Sequence, residues 1–238
     1  MDSLQREFDA AWTQFQSLEA LRLVPETLES EWTRGRDTYL AFLIRVDDPA
    51  AVSHLRDIVR QIEHIPGVEP YPESYWHLTV KGLGFEAQPA TRPDDVSTRD
   101  FERIAQAAQQ VFEAQPAFEV TIGPANGFPE VVFSEVWDSL AIRELNIRIL
   151  DALPDLIRYP FEGEAFLPHI SVARFTSAEG LGELKATLSS LRGDEPGPGF
   201  LISDVQLVRA HLSASAPELE TIETYRLERD ESADQSRS

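Results

Sequence analysis

Two short segments of this chain are nearly identical, and each contains one of its five histidines. The first is His77-Leu78-Thr79-Val80 and the second is His169-Ile170-Ser171-Val172. In each copy a histidine and a hydroxyl residue stand two positions apart, which in a β-strand places both side chains on one face. The apolar residues between them point to the other face, as in a strand with one side against a core. The repeat therefore predicts two similar amphipathic strands, each with a polar face that can carry chemistry.

The polar faces of the two strands are expected to meet in one site, because imidazole exchanges a proton near neutral pH and a neighbouring hydroxyl can donate a hydrogen bond. A looser match, His211-Leu212-Ser213-Ala214, leads directly into Pro217, which a central strand does not accommodate, and we leave it out of the site. His54, on the exposed side of a predicted helix, and His64, near a helix C-terminus where a cation is favoured, are predicted to be structural.

Composition limits the class of protein. A chain of 238 residues with 42% hydrophobic content can form one large domain or two small lobes. It has no cysteine, which excludes a disulfide framework, a thiol nucleophile and a cysteine-based metal site. No apolar run approaches the roughly 18 residues of a membrane span, and the first residues lack the basic and apolar regions of a signal peptide. We expect a monomeric cytoplasmic protein without a membrane partner.

The net charge of −20 arises from 41 acidic and 21 basic residues. Binding to long nucleic acids or anionic membranes depends on many Lys and Arg contacts, so this charge disfavours both. A phosphate group would have to be held locally by a few side chains. Any substrate is therefore expected to be small or short.

Helical and strand patterns alternate along the chain. Helices are predicted for the amphipathic segment from Leu4 to Leu18, for Pro25–Arg34, from Asp48 to Pro66, from the Ser97–Asp100 capping box to Ala114, after Asp138, and from Ser177 to Leu191. Strands are predicted at Thr38–Val46, Tyr75–Leu83, Phe118–Ile122, Val131–Val136, Phe166–Phe175, Phe200–Leu212 and Ile222–Leu227, with Asn126-Gly127 in a hairpin-like loop.

This alternation predicts an α+β fold. We expect two pseudo-symmetric lobes of antiparallel strands, with helices packed outside and a central cleft that carries one histidine motif from each lobe. Residues 1–37 are predicted to be a helical extension that packs on the body, 38–228 the bilobal domain, and 229–238 a polar disordered tail.

The phrases His77-Leu78-Thr79-Val80-Lys81-Gly82-Leu83-Gly84 and Pro168-His169-Ile170-Ser171-Val172-Ala173-Arg174, with the closing strand Val205-Gln206-Leu207-Val208-Arg209, resemble the 2H phosphoesterase superfamily. Within it, the chain is most similar to the bacterial RNA 2′,3′-cyclic phosphodiesterase group, also called 2′-5′ RNA ligase-like. The resemblance covers about Thr38 to Leu227. Ser171 replaces the commoner Thr, and Lys81 stands where the family varies.

The resemblance implies a metal-independent phosphoric diester hydrolase without a cofactor. Its substrate would be the 2′,3′-cyclic phosphate of an RNA end or of a nucleotide, or a related 2′-5′ phosphodiester, with RNA ligation possible in reverse. His77 and His169 would be the catalytic acid and base, in an order that stays open. Thr79, Ser171 and Lys81 would bind the phosphate, since Lys81 falls on the same face as His77 under strict alternation.

Three alternative functions differ in how well the sequence supports them. Metal-dependent hydrolysis is disfavoured because no His-x-His or His-Glu-x-x-His cluster occurs, and a serine hydrolase because no Gly-x-Ser-x-Gly occurs. The remaining rival is a catalytically silent protein of the same fold that binds a nucleotide or phosphorylated ligand.

Arg174 is predicted on the face opposite His169, with phosphate contact or surface pairing both open. Phe128 and Trp137 could stack a base, although core packing is favoured.

Overall fold

Within residues 2–23, 30–193, 196–212 and 216–228, which the computed structural model describes, ten strands form one sheet. The strands are β1 (Thr38–Arg45), β2 (Val68–Pro70), β3 (His77–Glu86), β4 (Asp95–Val96), β5 (Phe118–Gly127), β6 (Val131–Trp137), β7 (His169–Phe175), β8 (Gly199–Ile202), β9 (Asp204–His211) and β10 (Glu218–Arg226). The main order is β10-β9-β1-β3-β7-β6-β5-β8, with β2 beside β7 and β4 beside β3. Neighbours are antiparallel except for the short β3–β4 pair.

The two histidine strands are adjacent at the middle of this sheet. β3 and β7 are joined by a single register pair, Leu78 with Ile170, and each is flanked by further strands on its other side. The order β3-β1-β9-β10 on one side therefore mirrors β7-β6-β5-β8 on the other. This arrangement brings the two halves of the sheet together at the two repeated motifs.

Five helices accompany the sheet in the described part of the chain: α1 (Asp2–Ser17), α2 (Pro49–Ile62), α3 (Phe101–Glu113), α4 (Ala141–Ala152) and α5 (Leu181–Leu191). The predicted starts of two helices are confirmed. The Asp48 carboxylate accepts from the N–H groups of Ala50 and Ala51 at the start of α2. Ser97 and Asp100 form a reciprocal capping box before α3.

One large core lies on the face of the sheet that α2 to α5 cover. It contains apolar side chains from all four helices together with Leu78 and Val80 of β3 and Ile170 and Val172 of β7. Because side chains alternate along a strand, His77 and His169 point to the opposite face. The predicted α+β class is confirmed, and none of the described helices is long and apolar enough to cross a membrane.

α1 packs on the body of the protein, as its apolar spacing predicts. Phe8 and Phe15 are fully buried, and Phe8 clusters with Leu4 and Phe133. The first half of the helix therefore covers part of the sheet face that also carries the histidines, whereas Phe15 packs in the large core.

One prediction about local structure is wrong, and two others concern segments that lie partly or wholly outside the described residues. Asn126 and Gly127 lie inside β5 rather than in a loop, and the chain reverses at 128–130, where Phe128 N–H bonds to Val131 O. The Asn126 amide is buried in hydrogen bonds, and a Cβ on Gly127 would overlap the Phe15 ring, so both residues serve packing. Of the predicted helix Pro25–Arg34, residues 25–29 lie outside the described residues and 31–34 form turns. The predicted tail, 229–238, also lies outside them.

Candidate active site

His77 and His169 line the same cavity, which has a volume of about 780 Å³. They are the first residues of β3 and β7, and the Leu78–Ile170 pair fixes how these strands meet. Continuing that register by one residue each way sets His77 across from Ser171 and Thr79 across from His169. The two histidines are then diagonal neighbours, a relation that places residues about 7–8 Å apart in an antiparallel pair, with their Cβ atoms somewhat closer.

Each histidine is held by a backbone carbonyl two residues before it. His77 Nδ1 bonds to Tyr75 O, and His169 Nδ1 bonds to Leu167 O at 2.8 Å. A carbonyl oxygen can only accept, so in both rings Nδ1 carries the proton. The lone pair of each neutral imidazole is therefore on Nε2. Both rings are oriented in the same way for proton exchange through that atom.

Burial keeps both histidines neutral over a wide pH range. It lowers the pKa of His77 to about 4, and the nearby charges of His169 and Arg45 act in the same direction, against the hydrogen bond to Tyr75 O. Burial also lowers the pKa of His169, against the hydrogen bond to Leu167 O. Because the charge on His169 lowers the pKa of His77, a single proton shared by the pair belongs on His169, and His77 is the ring that stays neutral with its Nε2 lone pair free.

The two hydroxyl residues differ in their exposure to the cavity. Thr79 lines it beside His77. Ser171 is half-buried on the same face of β7 as His169 and pairs in register with Phe133 of β6. It does not belong to the cavity lining. The structure thus brings Thr79 into the site with both histidines and leaves Ser171 at its margin.

Lys81 does not lie in the cleft, and the prediction that it shares a face with His77 is wrong. β3 pairs Thr79 with Leu43 and Lys81 with Phe42, which leaves Val80 without a partner as a β-bulge. The extra residue turns Lys81 toward the helices. There its Nζ donates to Ile157 O at 2.7 Å and forms an ion pair with Glu162 at 2.9 Å, with both side chains buried.

Arg174 enters the cavity for the same reason, contrary to the prediction that it faces away from His169. β7 pairs Ser171 with Phe133 and Ala173 with Val132, so Val172 is the unpartnered residue. After this bulge Arg174 returns to the cleft face, lines the cavity and forms an ion pair with Glu69 at 2.7 Å. Sequence reasoning missed it because strict alternation was assumed. The only available signal was the valine that follows the hydroxyl in both motifs.

A set of aromatic side chains lines the cavity beyond Gly82, on the side of β1. Tyr39 and Tyr159 join their hydroxyl groups at 3.0 Å, and the Tyr159 and Phe161 rings are nearly parallel, with centroids 5.4 Å apart. Phe161 is 62% exposed and Trp32, which packs on Tyr39, is 49% exposed. No sequence pattern pointed to these residues, since Tyr159 and Phe161 lie in a loop.

Phe128 and Trp137, the two candidates for base stacking, lie in different places. Phe128 lines the cavity, stacks on Phe133 and meets His169 edge-on, whereas Trp137 packs in the cluster beneath α1. His64 lies near Glu183 on the surface, and His211 pairs with Glu220. Within the described ranges, no three histidine, aspartate or glutamate side chains gather in a group that could hold a metal ion.

The chain belongs to the 2′-5′ RNA ligase superfamily, whose family model matches residues 46–214. The superfamily resemblance predicted from the two motifs is therefore confirmed, and membership supports a phosphoesterase-type activity.

Several solved structures share the fold of this chain. TT0787 of Thermus thermophilus has a TM-score of 0.60 and 18% identity, covering 81% of this chain and 99% of its own. E. coli LigT in apo form has a TM-score of 0.57 and 18% identity with the same coverage. ATU0111 from Agrobacterium tumefaciens has a TM-score of 0.57 and 16% identity, covering 92% of this chain and 99% of its own. At these identities the likeness concerns the fold, and no curated protein matches the sequence.

Proposed function

We propose that the protein is a metal-independent cyclic phosphodiesterase that opens a 2′,3′-cyclic phosphate of an RNA end or a nucleotide, or a related 2′-5′ phosphodiester. The observation that carries this proposal is the pair of histidines on adjacent strands, each with Nδ1 tied to a carbonyl and Nε2 left for proton exchange. In-line displacement at phosphorus needs a base for the attacking water and an acid for the leaving oxygen. Two such imidazoles in one cavity suit both roles.

The lowered pKa of His77 and the positive charges near its ring keep that ring neutral, and this favours His77 as the base. In hydrolysis its Nε2 takes a proton from water as the water oxygen bonds to phosphorus. The bond from phosphorus to one ribose oxygen then breaks, and protonated His169 donates its Nε2 proton to that oxygen. The roles exchange in the reverse, ligating direction. The step balances with no added reagent. Water supplies the oxygen that bonds to phosphorus and the proton that His77 takes up, and His169 supplies the proton that the released ribose oxygen receives.

Thr79 and Arg174 are suited to hold the phosphate. The Thr79 hydroxyl can donate to a nonbridging oxygen, and the guanidinium of Arg174 can offset negative charge that grows in the transition state. Ser171 could give a second hydroxyl donor from the margin of the cavity. In a chain with a net charge of −20, these few local donors would have to supply the anion binding.

The aromatic wall, formed by Trp32, Tyr39, Tyr159 and Phe161, supports a nucleoside substrate over an aliphatic one. Gly82 lies three residues beyond Thr79, about 10 Å along an extended strand, and the Tyr39–Tyr159 pair with Phe161 follows it. A nucleoside whose phosphate sits at the histidines would place its base at this distance. Nucleotides also occur in E. coli LigT, whose structures include complexes with 3′-AMP, ATP and NADP+.

The test is turnover by the purified full chain. Substrates are a nucleoside 2′,3′-cyclic phosphate, an RNA with a cyclic phosphate end, ADP-ribose cyclic phosphate and a 2′-5′ linked dinucleotide, with products identified by ³¹P NMR. We expect His77→Ala and His169→Ala each to lower turnover by about 10² to 10⁴, the usual contribution of positioned proton transfer. His64→Ala, at an exposed histidine, is the matched control and should retain full activity.

The rival function is a nucleotide-binding protein without turnover. Tight binding of these ligands by the wild-type chain, with none of the four converted, would establish the rival and end the enzymatic proposal. Loss of activity in EDTA that Zn²⁺, Mn²⁺ or Mg²⁺ restores would contradict its metal-independent part.

A further inference from the structure

The helix α1 precedes residues 46–214, yet its side chains connect to His169 through two separate contact chains. The first is apolar. Phe8 is fully buried and packs on Phe133, with ring centroids 6.4 Å apart. Phe133 in turn meets the His169 imidazole at 5.2 Å, and Phe128, stacked on Phe133 at 4.2 Å, meets it at 5.1 Å. The His169 ring is thus held edge-on by two phenyl rings that α1 covers from outside.

The second contact chain is polar. Arg143 of α4 binds both carboxylate oxygens of Glu7 on α1, with one bond at 3.1 Å. The same guanidinium donates through Nε to Phe166 O at 2.8 Å. The next carbonyl along the chain, Leu167 O, accepts the His169 Nδ1 proton. A bidentate carboxylate fixes the orientation of a guanidinium, so Glu7 determines how Arg143 holds the segment that enters β7.

Further contacts hold α1 in place. Asn126 Nδ2 donates to Phe8 O at 3.1 Å, with both residues buried. At the other end of the helix, Phe15 packs over Gly127, where any side chain would clash. Arg192 pairs with Glu135, the residue opposite His169 in the β6–β7 register, and lies over the Trp12 ring at 4.8 Å. α1 is therefore an integral layer over this half of the site.

We propose that the first half of α1 is a positioning element of the catalytic machinery, in which Phe8 acts through Phe133, and Glu7 through Arg143, to fix the orientation of the His169 ring and to exclude water around it. The kinetic part of this inference rests on the proposed function. Glu7 and Phe8 are positioning residues, since neither lines the cavity. Without them His169 would remain in the chain but would sample orientations that do not aim Nε2 at the substrate.

A matched pair of substitutions separates positioning from simple stability. Phe8→Ala and Phe15→Ala each remove a fully buried phenyl ring from the same helix, and both should lower the denaturation midpoint of the full chain to a similar extent. Of the two rings, only that of Phe8 is connected to His169. We expect Phe8→Ala to lower kcat by about 10- to 100-fold with little change in KM, as misplacement of one reacting group does. Phe15→Ala should retain kcat at temperatures where it is folded.

The His169 titration gives a readout that does not depend on turnover. The titratable or charged groups on the elements around it are His77 on β3, Glu135 on β6, Arg174 on its own strand, and the Arg143–Glu7 pair. Phe8→Ala changes none of these groups, so a change in the His169 pKa reports water entry. NMR of the ring protons should show that pKa rising toward 6.5 in Phe8→Ala and unchanged in Phe15→Ala.

The outcomes are distinct. Equal effects of the two variants on kcat and on the His169 titration would overturn the inference, because the contact of Phe8 with Phe133 would then have no specific influence on His169. If Phe8→Ala does not fold, Phe8→Leu keeps the comparison, against Phe15→Leu. If the wild-type chain turns over no cyclic phosphate, the proposed function fails, and the NMR titration still decides whether α1 positions His169. Glu7→Gln should lower kcat in the same direction as Phe8→Ala, whereas Glu19→Gln, at an exposed residue after the helix, should not.

Discussion

Replacing Lys81 by methionine tests whether this lysine serves the fold or the phosphate. Its Nζ has three partners in the buried region behind β3: Gly82 O, Ile157 O at 2.7 Å, and the Glu162 carboxylate at 2.9 Å. Burial lowers the Lys81 pKa, and the hydrogen bond and charge of Glu162 oppose that change. Glu162 also accepts from Tyr159 N–H at 2.8 Å, so the pair anchors the loop that carries the aromatic wall.

The expected effect of Lys81→Met follows from the charge it leaves behind. Methionine fills a similar volume, but Glu162 stays buried without its cation, and breaking such a pair costs about 3–5 kcal/mol. The double variant Lys81→Met with Glu162→Gln removes both charges and keeps an acceptor for Tyr159 N–H. It should recover the part of the loss that comes from the unpaired charge, leaving about 1–3 kcal/mol for each of the two carbonyls that lose their donor.

Urea denaturation of the wild-type chain, the single variant and the double variant measures these free energies of unfolding. Turnover of a nucleoside 2′,3′-cyclic phosphate, measured under conditions where each variant is folded, separates the two roles. The double variant should keep most of the wild-type kcat. If Lys81→Met lost less than about 1 kcal/mol of stability while turnover collapsed in both variants, Lys81 would act on the phosphate and the structural argument would be refuted.

Three further predictions concern pH and substrate binding. kcat/KM should be bell-shaped in pH, with a maximum between the His77 pKa of about 4 and the His169 pKa below 6.5, because the base must be neutral and the acid protonated. Phe161→Ala should raise KM for nucleoside cyclic phosphates by about 5- to 100-fold, the usual cost of one lost stacking contact, and leave glycerol 1,2-cyclic phosphate, which has no base, unaffected. Gly82→Ala should also raise KM for nucleoside substrates, since its Cβ would collide with the Tyr39 hydroxyl oxygen.

Each of these has a control or a contrary outcome. A pH optimum above about 7.5 would show that the free-enzyme histidines are not the titrating groups. Leu201→Ala, at another exposed apolar side chain, should not change KM. Gly182→Ala, where a Cβ meets nothing within 4 Å, is the control for Gly82→Ala. Equal effects of the Phe161 substitution on KM for both substrate types would show that Phe161 does not act by stacking on the nucleobase.

The sequence could indicate which residues of a strand share a face, because a local rule decides it, but not where the neighbouring strands force a bulge. Histidine and hydroxyl two positions apart in a regular strand share a face, and His77, Thr79 and His169 do line one cavity, while their catalytic and phosphate-binding roles stay predictions. The bulges depend on how β3 and β7 fit β1 and β6, which no local pattern records.

The loop and the Asn126-Gly127 pair illustrate the same limit. Tyr159 and Phe161 lie in a segment without periodicity, so only their packing distinguishes them from any other loop residues. Asn-Gly commonly forms hairpin turns, but here the asparagine amide is used by the Phe8 carbonyl and by Glu135. In each case a contact with a residue distant in the chain determined the outcome.

The two bulges explain how a repeated motif can produce a site that is not symmetric. Each motif ends in an unpaired valine, which turns the next residue toward the helices and the one after it back to the cleft. On β7 the residue that returns is Arg174, which brings a cation into the cavity. On β3 it is Gly82, which brings no side chain and leaves room for the Tyr39 hydroxyl. The same backbone irregularity thus favours the phosphate over β7, where Arg174 lies, and the rest of the substrate over β3, where Gly82 leaves space. A substrate that lies across the two strands therefore has one favoured orientation.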